Sequence, residues 1–193
     1  MERIRPLSTA ETFEHLKALH FLPDDDAILA LYDSLEPVRS NDILGKWRGG
    51  GFDTGHWLLS ALIDLKWFGK WFVSKTDVKP LVCYDGNGDL HSSLAMNGEA
   101  TLLMRRFRGK LSAAVAYNGV PMFGHLRRVD DTTLLGVVDG DVLPDGADLV
   151  PRGRHQVFYL ERIEDWPAPF VALNAGLRSL ISPGSNGPTL LDQ

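Results

Sequence analysis

The chain holds one cysteine, Cys83, among 193 residues. An internal disulfide framework is therefore excluded, and a reduced, cytoplasmic setting is the default expectation. Positive charge is not in excess, since 20 Lys and Arg face 25 Asp and Glu for a net charge of −5. A dedicated nucleic-acid binder normally carries a basic face, so no nucleic-acid partner is expected. Long apolar runs are missing as well. The greasiest stretch, Trp57 to Trp67, is broken by Ser60, Asp64 and Lys66, and it is too short to cross a bilayer. No integral membrane segment is predicted, which leaves room only for transient membrane contact. Met1 to Pro6 has no apolar core of a secretion signal.

Catalytic signatures are scarce. There is no G-x-S-x-G elbow, and His15, His20, His56, His91, His125 and His155 show neither H-x-H nor H-E-x-x-H spacing. No metal site, catalytic residue or cofactor is therefore assigned. Gly69 to Thr76 nearly spells a phosphate loop. Ser74 stands where the second glycine belongs, however, and the bulky β-prone interior could not wrap a phosphate. Cys83 falls in a predicted strand and reads as an inert core thiol.

The rest is ordinary globular composition, with 44% hydrophobic and 23% charged residues. Ser8-Thr9-Ala10-Glu11 matches a capping box and opens a predicted helix from Thr9 to His20. Asp24 to Asp26 suit the start of a second helix. Its apolar face is Ile28, Leu31, Tyr32 and Leu35, and Pro37 ends it. A strand is predicted from Ile43 to Arg48, and Gly49 to Gly51 then permit a bend. Thr54 is the expected N-cap of a helix from His56 to Trp67. The same turn, with Arg48 beside it, could hold an anion at the helix start.

From Lys70 the period changes to two. Strands are predicted at 70–74, 78–84, 89–94, 101–108, 111–117, 122–129, 133–138 and 156–163. Asn87-Gly88, Asn97-Gly98 and Asn118-Gly119 are hairpin dipeptides. Close spacing and tight turns mean an antiparallel meander, and a meander of about nine strands best hides its edges by closing into a barrel. The expected fold is mainly β with flanking helices: an antiparallel β-barrel with N-terminal helices and one helix after the first strand. The expected parts are an N-terminal helical segment 1–37, a barrel domain 38–166, and a C-terminal helix with a disordered tail, 167–193.

In a small barrel, inward residues either fill the lumen or line a cavity. A mostly apolar pocket with a few convergent polar groups is the usual small-molecule site. Tyr117, Met122, Phe123, His125 and Arg127 offer that mixture. Arg48, His56, Trp57, Tyr84 and Phe158 complete the candidate ligand-binding set. Arg105, Arg106, Arg108 and Lys110 form a basic cluster, readable as a solvated rim or as a docking patch.

The stretch Leu44 to His56, with its Gly45-Lys46-Trp47-Arg48-Gly49, resembles the signature of the bacterial GXWXG-domain proteins. The stretch Phe123 to Asp139 resembles the DUF4334 segment that follows it in those proteins. The resemblance runs from about Leu35 to Arg162. It implies a lipocalin-like or fatty-acid-binding-protein-like barrel that binds lipids. Lipocalins also carry G-x-W on the first strand, with the Trp closing one barrel end against an Arg of the last strand. Gly45 and Trp47 match that pattern, with Arg162 as the partner and Arg128 as second choice. The glycine spacing also resembles nitrobindin, a haem-binding barrel, and that alternative makes His155 the haem ligand.

The function expected is therefore binding, carriage or sensing of a hydrophobic small molecule, a fatty acid or phospholipid, inside the barrel. The alternatives are a haem protein or small-molecule enzyme using the same cavity, and a filled barrel serving protein interaction, including as a homodimer.

Overall fold

A computed structural model describes residues 5–172. Three helices, α1 (Thr9–Lys17), α2 (Asp26–Ser34) and α3 (Trp57–Asp64), accompany ten strands. These are β1 (Glu36–Pro37), β2 (Gly45–Gly51), β3 (Trp67–Phe72), β4 (Val78–Tyr84), β5 (Leu90–Ser92), β6 (Ala100–Phe107), β7 (Lys110–Tyr117), β8 (Met122–Arg128), β9 (Thr133–Gly140) and β10 (Val157–Ile163). Eight strands close an antiparallel barrel in the order β2-β3-β4-β6-β7-β8-β9-β10 and back to β2. The expected count of about nine differs because β5 pairs with β4 outside the barrel. The two-residue β1, which hydropathy does not announce, lies outside as well, on β8.

The glycine run is where the strand reading changes most. Residues 49–51 do not bend the chain. They continue β2, pairing with Leu160, Tyr159 and Phe158 of β10. Their missing side chains make room for neighbours. A Cβ on Gly49 would lie 2.2 Å from the Trp67 indole, one on Gly50 2.2 Å from the Tyr159 ring, and one on Gly51 2.5 Å from Leu59. Only glycine lets these large side chains lie flat on β2. The turn to α3 follows, and its N-cap is His56 rather than Thr54: the imidazole Nδ1 accepts from Leu58 N at 3.1 Å. This helix stops at Asp64, and Trp67 opens β3.

Alternation along the strands builds two cores. The inner one fills the lumen with Trp47, Phe72, Val115, Leu126, Leu134, Val138, Phe158 and Leu160, and α3 adds Leu58. The outer one lies between the barrel wall and the first two helices. There Phe13, Leu16, Ile28, Leu31 and Tyr32 cover Leu135, Val137 and Val157. The Ser8–Glu11 capping box opens α1. The carbonyl end of α2 is held by two cations, as the helix dipole favours. Arg127 donates to Tyr32 O at 2.8 Å, and Lys110 donates to Leu35 O at 2.7 Å.

On another face Phe68, Trp71, Tyr84, Trp166 and Phe170 make an outer aromatic group. Phe170 bridges Leu90 in extended form. The rest of the expected C-terminal helix and tail, 173–193, lies outside the described residues. Among the described residues no helix is long and apolar enough to cross a membrane.

Candidate functional site

The two ends of the barrel are built differently. At one end Trp47 is buried, donates from Nε1 to Ile43 O at 2.9 Å and tilts against Phe72. The Arg162 guanidinium lies over the indole, 4.3 Å from its centroid, and donates to Leu44 O and Asp42 O. Gly45, at φ +125°, leaves 3.0 Å between a would-be Cβ and Arg162 Nη1. This end is solid. The other end is closed by α3 and by the 141–154 loop, tied together by Trp57 Nε1 donating to Asp148 O (2.7 Å) and by His56 Nε2 against Leu149 O (3.2 Å).

Beneath α3 the lumen keeps a cavity lined by Leu58, Leu62, Trp67, Lys70, Leu81, Met96, Tyr117, Met122, Val138, Gln156 and Phe158. Its volume is about 20 Å³, room for about one water.

The central polar group is Lys70. Strict alternation along β3 would not place both Trp67 and Lys70 inside. The register against β4 shifts twice, between Trp67 and Gly69 and again between Gly69 and Trp71. These irregularities reset the alternation, as bulges do, so that Trp67, Lys70 and Phe72 all reach the interior. Gly69 permits the close approach, since a Cβ there would sit 2.0 Å from Trp47 O.

Lys70 is 2% exposed. Its Nζ donates to Pro80 O at 3.0 Å and to the Tyr117 hydroxyl at 2.9 Å. The rings of Trp67, Tyr117 and Phe158 surround it at 5.1–5.4 Å, close enough for cation–π attraction. Burial lowers its pKa to about 7, opposed only by the nearby Cys83 thiol. Burial likewise raises the pKa of Cys83, to about 11, and that of the Tyr117 phenol. Gln156 completes the set. Its amide nitrogen is bonded to Phe52 O and Val157 O, but its buried Oε1 has no partner.

Of the candidate ligand residues, Tyr117, Met122 and Phe158 line this cavity, and His56 and Trp57 belong to its cover. The others lie elsewhere. Arg48 is on the outer wall, ion-paired with Glu161. Tyr84 packs on Phe68 in the outer aromatic group. Phe123, His125 and Arg127 do share a face of β8, but it is the outer one, opposite Met122 and Leu126. Arg127 is fully buried there and donates to Phe107 O and Arg108 O besides Tyr32 O, beneath the Tyr32 ring. Arg128 pairs with Asp131. The basic cluster is partly spent on the same surface, where Arg108 grips Asp33 through two bonds of 2.6 and 2.8 Å.

Lys70 and Gln156 escape a sequence reading. The available signal is one lysine set among Trp67, Phe68, Trp71 and Phe72, where a solvated strand would not be so aromatic.

His125 is sandwiched between Phe107, 4.0 Å away and parallel, and Phe123. Its Nε2 is buried without a hydrogen bond, 3.7 Å from Asp139. Burial lowers its pKa to about 4, with Arg105 and His155 adding to the effect and Asp139 opposing it. The unfolded imidazole takes up a proton near its ordinary value of 6.5, and the folded one resists until about 4. Stability should therefore fall as pH drops from 6.5 to 4, by about 3 kcal/mol from this group. Urea denaturation across that range should show the acid limb flattened in His125→Phe. Parallel curves for the two proteins would refute the assignment.

The haem alternative needs His155 to face the lumen, whereas His155 is on the outer wall against Phe107, with Nδ1 at 2.8 Å from Val138 O. Among the described residues no three His, Cys, Asp or Glu side chains gather as a metal site.

Comparison with known proteins gives a consistent picture. The family described as GXWXG protein matches residues 30–88, and the domain of unknown function DUF4334 matches residues 98–162. A solved structure, described as that of a protein from Thermomonospora curvata, is 32% identical, with a TM-score of 0.70. The match covers 81% of this chain and 99% of that one. No curated protein matches the chain. With both family segments in order on one closed barrel, and a relative of that identity matched over nearly its whole length, the chain belongs to the GXWXG/DUF4334 family.

Proposed function

We propose that the barrel binds a single-chain hydrophobic acid of the fatty-acid class, for carriage or sensing, with Lys70 and Tyr117 as its polar anchor. The observation that carries the reading is the buried Lys70 ammonium, held by one hydroxyl, one carbonyl and three ring faces. An anionic head supplies the counter-charge missing from that cage. The apolar lining of Leu58, Leu62, Leu81, Met122, Val138 and Phe158 suits its chain.

Typical small-molecule pockets hold about 300–1,000 Å³, so ligand entry on this reading requires the lumen to open. Its weakest seam is between β4 and β6, which share a single register pair, Val78 with Ala100. Beyond that pair β4 turns to β5 instead, and Met96 and Leu62 stand over the opening. Methionine is the side chain most easily repacked. A ligand enters here by displacing Met96 and the end of α3.

Titration with fatty acids from hexanoate to palmitate tests this, together with mass spectrometry of what the purified protein retains. Dissociation constants on the order of 1 μM are expected, weakened at least tenfold in Lys70→Met. Lack of binding across the series would hand the function to the second reading, which the small cavity favours: a filled barrel acting through its surface.

A further inference from the structure

We infer that Lys70 is a covalent nucleophile, its Nζ condensing with the carbonyl carbon of an aliphatic aldehyde held in the lumen. This rests on the ligand-binding reading and extends it from an acid to the carbonyl compound of the same chain type. The geometry has four parts. The amine is deep in an apolar chamber and has no ion-pair partner among the described residues. A hydroxyl that burial keeps protonated, that of Tyr117, touches it at 2.9 Å. A free acceptor, Gln156 Oε1, belongs to the same lining. The apolar lining around it, with Leu58, Leu81, Met122 and Phe158, suits an aliphatic chain once the lumen opens.

Condensation uses each of these. An amine is a nucleophile only without its proton, and desolvation in a hydrophobic pocket favours that form. Burial moves Lys70 toward that neutral form. The nitrogen lone pair forms the C–N bond while the carbonyl π pair moves to oxygen. The nitrogen proton passes to that oxygen, with the Tyr117 hydroxyl placed to relay it, giving a carbinolamine. The remaining nitrogen proton reaches the carbinolamine hydroxyl by the same relay, the nitrogen lone pair forms the C=N bond as the C–O bond breaks, and the oxygen leaves as water, for which Gln156 Oε1 is an acceptor. Aldehyde and amine become imine and water, and no oxidant or reductant takes part. When protonated, the imine keeps the positive charge where Trp67, Tyr117 and Phe158 now face the ammonium.

The test incubates the full chain with hexanal and sodium cyanoborohydride at pH 7 and maps the hexylated lysines by peptide mass spectrometry. Lys70 should be alkylated at least ten times faster than the exposed Lys66 and Lys75, and excess decanoate should suppress the Lys70 label alone. The wild-type map suffices if Lys70→Met fails to fold. A Lys70 left unlabelled, or labelled no faster than its exposed neighbours, overturns the inference. If decanoate nevertheless binds and depends on Lys70, the carrier reading stands without it. If decanoate does not bind but Lys70 is hexylated selectively, the nucleophile stands and the acid ligand falls.

Discussion

Lys70→Met is expected to make the protein more stable at pH 7, by about 2 kcal/mol, while weakening its ligand binding at least tenfold. Folding carries this lysine from water, where its ordinary pKa is 10.5, to a site where burial brings it to about 7. At pH 7 that shift costs about 4 kcal/mol. Methionine has similar length and no charge. Its introduction leaves the Tyr117 hydroxyl without its lysine donor, costing about 1–2 kcal/mol, whereas Pro80 O keeps the Trp67 indole at 3.3 Å.

The pH dependence has a definite sign. Below pH 7 both folded and unfolded states hold the proton, and Lys70 gives no slope. Between 7 and about 10.5 the unfolded chain binds it and the folded barrel does not, so raising the pH stabilises the wild type. Relative to Lys70→Met, wild-type stability should climb by about 4 kcal/mol from pH 7 to 10.5. Urea denaturation of both proteins at pH 7, 8.5 and 10 decides the matter. Equal slopes would mean an ordinary, solvated lysine. A residue that costs stability where a methionine would fit is what a functional site looks like energetically.

The architecture was legible because its signals are local. The Ser8–Glu11 capping box, the two amphipathic helices and the Asn118-Gly119 hairpin depend on neighbours in sequence, and the structure contains all of them. The closed barrel follows from the alternating strands. The site was less legible because it depends on where alternation fails. Period two puts Phe123, His125 and Arg127 on one face but does not say which face is inside. That face is the outer one, where Arg127 reaches the end of α2 at Tyr32 O and His125 stacks on Phe107. Lys70 was hidden by the register shifts around Gly69. A two-residue period counted from Trp67 sends Lys70 outward, and only the pairing with β4 reverses it. The glycine run misled for a related reason. Glycine in sequence suggests a bend, yet here each missing Cβ is occupied by a side chain from a distant element: Trp67, Tyr159 or Leu59.

Trp47→Ala should cost about 4 kcal/mol of stability, within the range for a buried Trp, and leave ligand affinity nearly unchanged in the protein that remains folded. The indole is 1% exposed and fills the solid end of the barrel. Removing it opens a void beside Phe72, strips Ile43 O of its donor and leaves the Arg162 guanidinium without the ring beneath it. Arg162 remains bonded to Leu44 O and Asp42 O, which limits collapse into the void. The cavity under α3 contains neither Trp47 nor Arg162, so the two ends of the lumen should separate experimentally. Trp47→Ala lowers the denaturation midpoint and spares decanoate affinity, whereas Lys70→Met raises the midpoint and loses affinity. If Trp47→Ala kept its stability but lost the ligand, the anchor would have to move to the Trp47 end of the barrel. Loss of both together, measured well below the denaturation midpoint, would mean that the solid end sets the shape of the open one through the stretch of β3 between Phe72 and Lys70.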